Sequence, residues 1–211
     1  MDLRVPVYVT GNKGKYISVK EKFARFGLDV DFLTHDAQEL EINDIEQIAK
    51  SKVDEAYHIL KRPCFVIDSG FYIKSYPNNP GYPGAFVKRS GISSDIKTLL
   101  ATLKEVEDRT ATFVDCLMFY DGENYYTFYG YSEGNIAREI RGNENQKARS
   151  NLWYVFIPKN HDKTLAEMTD YERSHRNDGS NSAILDFIEW YQNEYLNVKR
   201  LTKKTKIEAS K

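Results

Sequence analysis

The 211-residue chain has little of what would crosslink a small secreted domain or anchor a protein in a membrane. Its two cysteines, Cys64 and Cys116, lie in apolar runs and outside any Cys/His spacing typical of zinc sites. We therefore expect buried thiols in a reducing compartment and no structural zinc. No window approaches the roughly 20 apolar residues of a membrane span, and the first residues do not resemble a signal peptide. These absences predict a cytoplasmic protein with no membrane partner.

The sequence also has no excess of charge of one sign, since it contains 30 Lys and Arg residues and 31 Asp and Glu residues. A net charge of -1 provides no general attraction to nucleic acid, so any anion site must be local. With 41% hydrophobic residues, the length suits one α/β domain or two closely packed lobes, which we place at residues 1–197. The basic residues 198–211 are predicted to form a flexible, solvated tail.

A turn rich in small and cationic residues follows the first apolar run. Val7–Val9 is typical of a strand, and apolar residues recur at helical spacing from Tyr16 to Phe26. The turn between them, Thr10–Lys15, therefore precedes a helix N-terminus, where backbone N–H groups and the charges of Lys13 and Lys15 favour an anion such as phosphate. The turn matches neither a Walker A loop nor a GxGxxG fingerprint, so an ordinary solvated turn is an equal alternative.

Four acids precede the second predicted helix, Ile45–Leu60, whose apolar residues form one buried face. We interpret Asp44, with Gln47 three residues later, as the capping box of this helix. Acids are favoured at helix N-termini, so a solvated, capping role is the first interpretation. The alternative is that one or two of them hold Mg²⁺, which takes few carboxylates and keeps waters for bound phosphates. The four acids are Asp36, Glu39, Glu41 and Asp44.

The continuous apolar run Pro63–Gly70 predicts a strand buried on both faces that ends at Asp68-Ser69-Gly70. An acid at the carboxyl end of a central parallel strand lies where α/β proteins bind ligands, which makes Asp68 the first catalytic candidate. The alternative is a turn-forming residue before glycine.

The runs Thr110–Tyr120 and Glu123–Tyr131 flank Asp121-Gly122 and predict an antiparallel hairpin, so the sheet is mixed. The hairpin tyrosines are expected to pack against each other or against a dimer partner. Base stacking in a binder of single-stranded nucleic acid is a less favoured alternative, because basic residues are not interleaved with them. A helix from Ser93 or Ser94 to Val106, a strand over Leu152–Pro158 and a short helix at Lys163–Met168 complete the pattern before a final helix.

Five segments resemble, in order and spacing, the inosine triphosphate pyrophosphatase (HAM1-like) family over roughly Val5 to Tyr191. The resemblance implies a long mixed β-sheet flanked by helices, with two lobes around a central nucleotide cleft, in a homodimer. It also implies Mg²⁺-dependent hydrolysis of purine nucleoside triphosphates such as ITP, dITP and XTP to the monophosphate and pyrophosphate. The segments are Thr10-Gly11-Asn12 with Lys15, Asp68-Ser69-Gly70, Pro83–Phe86, Lys163–Met168 and Ser174-His175-Arg176.

The resemblance also implies roles for individual residues. Asp68 would hold metal or orient the attacking water, joined by one acid among Glu39, Glu41 and Asp44. The substrate-binding residues would be Thr10, Gly11, Asn12, Lys13, Lys15 (also catalytic), Ser69, Trp153, Lys163, Ser174, His175 and Arg176.

This chain departs from the family pattern at several positions. The family's acid directly before the strand-end Asp is Ile67 here, and its glutamate three residues after the loop lysine is Ser18. Trp153 replaces an acid that lies by the base, and Arg173 stands for a usual lysine. A hydrogen-bonding group thus gives way to a stacking surface, which predicts altered base preference. The alternative function is a sensor or interaction protein that binds nucleotide without effective turnover.

Overall fold

The computed structural model of the chain describes residues 5–37, 40–143, 148, 150–176 and 179–197. The predicted tail, residues 198–211, and the candidate acid Glu39 lie outside the described residues.

A seven-stranded mixed sheet forms the centre of the fold, as the sequence predicts. The strands are β1 (Val7–Val9), β2 (Asp31–Leu33), β3 (Cys64–Ile73), β4 (Pro83–Gly84), β5 (Thr110–Tyr120), β6 (Tyr125–Ile136) and β7 (Phe156–Pro158). Six strands follow the order β2-β1-β3-β5-β6-β7, and β4 pairs with β3 outside this path. β1 lies parallel to both β2 and β3, whereas β3, β5, β6 and β7 pair antiparallel.

Helices cover both faces of this sheet, and polar side chains cap several of their N-termini. Asn12, Asp44 and Asp95 each accept hydrogen bonds from the first helical turn that follows them. The last helix continues into a π-helical segment at Tyr191–Tyr195. The helices are α1 (Lys13–Arg25), α2 (Ile45–Leu60), α3 (Ile96–Thr102), α4 (Asp170–Ser174) and α5 (Ala183–Trp190).

Strand β3 is longer than the sequence pattern predicts. It continues through Asp68 to Ile73, because its far half pairs with β5 and with β4. The prediction that Asp68 ends the strand is therefore wrong. However, β1 ends at Val9, and Tyr8 of β1 pairs with Phe65. Asp68, three residues beyond Phe65, thus lies alongside the turn that leaves β1.

Three further predictions differ from the structure in detail. The third helix is shorter than expected, spanning Ile96–Thr102 with Asp95 as its cap. The strand expected from Leu152 begins only at Phe156, because Asn151–Tyr154 forms a 3₁₀ turn. The segment 163–168 forms turns rather than a helix. All three involve short segments, in which tertiary contacts override local propensity.

Three hydrophobic clusters surround the sheet. The first cluster lies under α1 and α5 and includes Phe65, Phe119 and Phe187. The second cluster lies on the same sheet face nearer the other end of β3, and it includes Phe71, Leu99 and Phe156. The third cluster lies under α2 on the opposite face. Two separate clusters therefore lie on one face of the sheet, and the two-lobed arrangement stays a prediction.

Cys64 and Cys116 are buried free thiols, as predicted. Burial raises the pKa of each thiol to about 12, so both stay protonated near neutral pH. Among the described residues, no helix is long and apolar enough to cross a membrane.

Arg109 joins strand β5 to its surroundings at the base of the second cluster. Its buried guanidinium donates hydrogen bonds to the carbonyl oxygens of Leu103, Ile136 and Ala137. We expect Arg109→Met to lower the free energy of unfolding by about 3 kcal/mol, because buried carbonyl groups lose charged donors. Urea denaturation measures the change. The control is Lys104→Met, at a side chain that is 81% exposed, with an expected change within about 0.5 kcal/mol. Equal stability of the two variants would contradict this role.

Candidate active site

The turn Thr10–Lys15 forms the N-terminus of α1, as the sequence predicts. The N–H of Asn12 donates to the Thr10 hydroxyl at 3.2 Å, and the Asn12 side chain accepts from the N–H of Lys15 at 3.1 Å. Gly11 and Lys13 are exposed, and Lys15 is half-buried. The loop is therefore held in place by its own polar side chains, at the positive end of the helix dipole.

The acids before α2 differ in what they contact. Asp44 is the N-cap: one carboxylate oxygen accepts from the N–H groups of Glu46 and Gln47, and the other accepts from the Gln47 amide at 2.8 Å. Gln47 thus bonds to the Asp44 carboxylate instead of closing a capping box through the Asp44 backbone. Asp36 is exposed and lies beside Gly11, and Glu41 is exposed.

Asp68 forms an ion pair with Lys52 of helix α2. The Lys52 ammonium lies 2.9 Å from Oδ1 of Asp68, and the two side chains are only 15% and 13% exposed. A nearly buried pair of this kind has a fixed geometry. The structure therefore adds a cation beside the catalytic candidate.

Lys52 was not among the residues predicted from the sequence, although a signal for it exists. Ile48, Lys52 and Ala56 follow one another at four-residue intervals on the buried face of α2. A lysine in such a stripe must bury its stem and find a partner for its charge. The partner, Asp68, is not deducible from helical spacing.

Several negative charges lie together on this face of the sheet. Burial raises the pKa of Tyr72, and the charges of Asp44 and Asp68 raise it further. Glu46, in the first turn of α2, accepts a hydrogen bond from the Tyr129 hydroxyl at 2.5 Å. The start of α2, the middle of β3 and strand β6 therefore meet at one place.

Ser69 faces the opposite side of the sheet from Asp68, because successive side chains of a strand alternate. Its hydroxyl donates to Oδ1 of Asp115 on β5 at 2.6 Å. The register pairs Ser69 with Asp115, and Asp115 with Gly130 of β6. Asp115 is not among the site residues predicted from the sequence. A single acid within the apolar strand Thr110–Tyr120 is nevertheless a pattern from which it could have been found.

A second group of predicted residues lies in the segment 151–176. Lys163 pairs with Glu172 at 2.6 Å, and this bond lowers the pKa of Glu172 to about 2. The Arg173 guanidinium lies 5.2 Å from the centre of the Trp153 ring and donates to the Leu165 carbonyl at 2.9 Å. Trp153 is half-buried against the second cluster. Arg173 therefore holds α4 against the preceding turns.

Ser174-His175-Arg176 follows at the end of α4. The exposed Ser174 and His175 bond within the helix end, and the His175 ring stacks on Tyr171 at 4.2 Å. Arg176 reaches the sheet and donates to the Ser132 hydroxyl at 3.4 Å. The structure thus brings Arg176 to strand β6. Lys163 and Trp153 instead contact Glu172 and Arg173 within the segment 151–176.

The hard carboxylate oxygens at this site are of the type that Mg²⁺ prefers. Among the described residues, no three His, Cys, Asp or Glu side chains are grouped so that they could hold an ion together. Mg²⁺ bound with a nucleotide needs only one or two carboxylates, with water and phosphate oxygens completing the shell. The donor set therefore fits such an ion. Asp44 is occupied as a helix cap, whereas the carboxylate of Glu41 is exposed.

Comparison with known proteins relates the chain to one family. The profile of the Ham1 family matches residues 6–190. A dITP/XTP pyrophosphatase of Saccharolobus solfataricus is 34% identical over 171 residues, which span 80% of this chain and 85% of that protein. A dITP/XTP pyrophosphatase of Methanopyrus kandleri is 33% identical over 193 residues, 89% of this chain and 96% of that protein.

Solved structures show the same fold. The Ham1 protein of Staphylococcus aureus superposes with a TM-score of 0.70 at 21% identity, covering 89% of this chain and 99% of that chain. A HAM1 protein of Coxiella burnetii gives 0.71 at 22% identity, covering 88% and 98%.

We expect Asp44→Ala to lower the free energy of unfolding by about 1 kcal/mol without changing the affinity for Mg²⁺, because Asp44 acts as a helix cap. The bonds from Gln47, its backbone N–H first, hold the pKa of the Asp44 carboxyl below its ordinary 3.8. The ionised cap therefore stabilises the fold above pH 4, and this contribution is lost as the pH falls through the lowered pKa. Urea denaturation at several pH values and calorimetric Mg²⁺ titration measure both properties.

Asp44→Asn is the matched control, since asparagine caps helices about as well as aspartate. Its stability is expected to stay close to that of the wild type. Weaker Mg²⁺ binding by Asp44→Ala would contradict a purely capping role.

Proposed function

The chain belongs to the Ham1 family, and from that premise we propose that it hydrolyses non-standard purine nucleoside triphosphates such as ITP, dITP and XTP. The products are the nucleoside monophosphate and pyrophosphate, so the enzyme is a nucleoside triphosphate pyrophosphatase. Relatives that share 28–34% identity with the chain bear the name dITP/XTP pyrophosphatase.

The observation in this chain that best supports the proposal is the position of the Asp68–Lys52 pair. The pair lies alongside the end of β1, where the anion-binding turn Thr10–Lys15 begins. A phosphate chain held by the turn therefore extends toward a buried carboxylate. This is the arrangement that hydrolysis of a phosphoanhydride requires.

The turn supplies the positive side of the site. The N–H groups at the start of α1 and the ammonium groups of Lys13 and Lys15 bind the phosphate oxygens, which carry more negative charge as the reaction proceeds. Lys52, on the other side of Asp68, adds a further positive charge near the reacting phosphorus. The hydroxyl of Thr10 fixes the backbone at Asn12.

Asp68 orients the attacking water and accepts its proton. The water oxygen forms a bond to the α-phosphorus, and the bond from this phosphorus to the bridging oxygen of the β-phosphate breaks. Pyrophosphate leaves with the electron pair of that bond. The ion pair with Lys52 keeps the Asp68 carboxylate in one orientation throughout this step.

Mg²⁺ is the proposed cofactor, held by Asp68 and Glu41. When bound, it neutralises the negative charge of the triphosphate and of the leaving pyrophosphate. Ser174, His175 and Arg176 are proposed to face the base or the phosphate next to it, and Trp153 to offer its ring to the base. Lys163 stays a predicted substrate-binding residue on the side of the cleft that contacts the base.

The remaining proposals concern the state of the protein in the cell. We propose a homodimer and a cytoplasmic location, without nucleic-acid or membrane partners. The buried free thiols of Cys64 and Cys116 are compatible with a reducing compartment. Tyr125, Tyr126 and Tyr129 contact Asp54, Trp190 and Glu46 within the chain, so the hairpin tyrosines favour the packing interpretation.

Asp68→Asn is expected to reduce pyrophosphate release from ITP, dITP and XTP by about 10²- to 10³-fold, because the proton acceptor and its charge are lost. Release is measured with Mg²⁺ present, beside the standard triphosphates. Melting temperatures of both proteins show whether the variant is folded. Turnover by Asp68→Asn at the wild-type rate would contradict the catalytic assignment.

The matched control is Asp29→Asn, an exposed acid before the amino end of β2, away from the carboxyl ends of the strands. Its activity is expected to equal that of the wild type. If nucleotide raises the melting temperature of the wild type but no pyrophosphate is released, the alternative function, a sensor or interaction protein, is favoured.

A further inference from the structure

Asp115 occupies an unusual place for a charged residue. It lies in the middle of β5, with buried Cys116 and Leu117 directly after it, yet its own side chain is exposed. The middle of a central strand is normally covered by helices, so an exposed carboxylate there marks an opening to solvent.

The strand register shows what this opening separates. Along one face of β3 and β5, the paired residues are Phe65 with Phe119, Ser69 with Asp115, and Phe71 with Phe113. Phe65 and Phe119 belong to the first cluster, whereas Phe71 and Phe113 belong to the second. The Ser69–Asp115 pair therefore lies between the two clusters and forms the polar floor of the proposed cleft between the two lobes.

Elements from both lobes border this floor. Gly130, the β6 partner of Asp115, lies under the start of α5, where an added Cβ would be 2.8 Å from the Ala183 nitrogen. Arg176 binds Ser132, two residues further along β6. The floor thus lies between the lobe of α1 and α5 and the lobe that carries Arg176.

We propose that Asp115 is a substrate-binding residue that accepts a hydrogen bond from a donor of the nucleoside, either a base N–H or a sugar hydroxyl. This inference rests on the proposed function, since it assumes that the cleft holds a nucleotide. The bond from Ser69 uses Oδ1 and fixes the carboxylate, which has further lone pairs for a second donor.

Charge and position both favour the nucleoside over the phosphates. A carboxylate repels phosphate oxygens, and the sheet order places β5 two strands away from β1 and its cationic turn. Asp115 also faces away from Asp68, because Asp68 pairs with Cys116 and adjacent side chains point to opposite faces. The two carboxylates therefore do not act on the same group.

Binding measurements in EDTA test this role without turnover. We expect Asp115→Ala to weaken ITP binding about tenfold, the loss of one hydrogen bond to a charged acceptor, with tripolyphosphate binding unchanged. Asp115→Asn, which keeps one acceptor oxygen, is expected to lose less. Glu123→Ala, an exposed carboxylate at the turn of the same hairpin, is the control and should bind like the wild type.

Two analogues distinguish the possible donors. Dideoxy-ITP lacks the sugar hydroxyls, so it binds the wild type and Asp115→Ala with equal affinity if a sugar hydroxyl is the donor. N1-methyl-ITP lacks the base N–H, so it binds the two proteins with equal affinity if that N–H is the donor. Either outcome supports the proposal.

Other outcomes overturn it. Unchanged ITP affinity removes Asp115 from the substrate site, and tighter binding of tripolyphosphate places it beside the phosphates instead. In a separate calorimetric Mg²⁺ titration without EDTA, weaker Mg²⁺ binding by Asp115→Ala, with unchanged ITP affinity, makes Asp115 a metal ligand instead. A wild type that binds ITP without releasing pyrophosphate overturns the proposed function alone, since the comparison of affinities still holds. A wild type that binds no nucleotide overturns both.

Discussion

The pairing of β3 with β5 is the constraint on which the rest of the structure depends. β3 belongs to two arrangements at once: it is parallel to β1 at its start and antiparallel to β5 over all ten of its residues. Because β1 ends early, the middle of β3 has a neighbour on one side and an open edge beside the turn Thr10–Lys15 on the other. The place where the parallel part of the sheet stops is therefore the place where Asp68 lies beside the turn Thr10–Lys15.

This geometry distributes charge between the two faces of the sheet. Asp68, Lys52 and the cap of α2 lie on one face, whereas Ser69, Asp115 and Arg176 are associated with the other. A single strand thus presents groups for two different parts of a ligand, because side chains alternate along it. The phosphates need cations and an acid near the α-phosphorus, and the nucleoside needs neutral or anionic acceptors. In the proposed mode of binding, the charge of Asp115 does not oppose the phosphates, because its side chain points to the opposite face from Asp68.

The elements that the sequence predicts well are those with long periodic patterns or strong local caps. Helix Ile45–Leu60 has the predicted limits, and the hairpin around Asp121-Gly122 forms as expected, although its loop has four residues. The sequence pattern predicts the end of β3 too early. Asp68-Ser69-Gly70 has a turn-forming composition, and only pairing with the distant strand β5 keeps this segment extended. The Lys52–Asp68 and Ser69–Asp115 contacts join residues 16 and 46 positions apart, which no local pattern reveals.

The same register explains how this chain differs from the family pattern at Ile67. Ile67 packs against the first cluster and pairs with Leu117, so its site on the sheet is apolar. An acid at this half-buried position would lie against apolar side chains, where a charge costs free energy unless water or a partner compensates for it. Asp115 lies diagonally across from Ile67, on the same face and one strand further from β1. The chain thus presents a carboxylate, Asp115, on the face of Ile67 and one strand further from the turn Thr10–Lys15. In the proposed mode of binding, this carboxylate affects contacts with the nucleoside more than contacts with the phosphates, and the departure at Trp153 concerns the nucleoside as well.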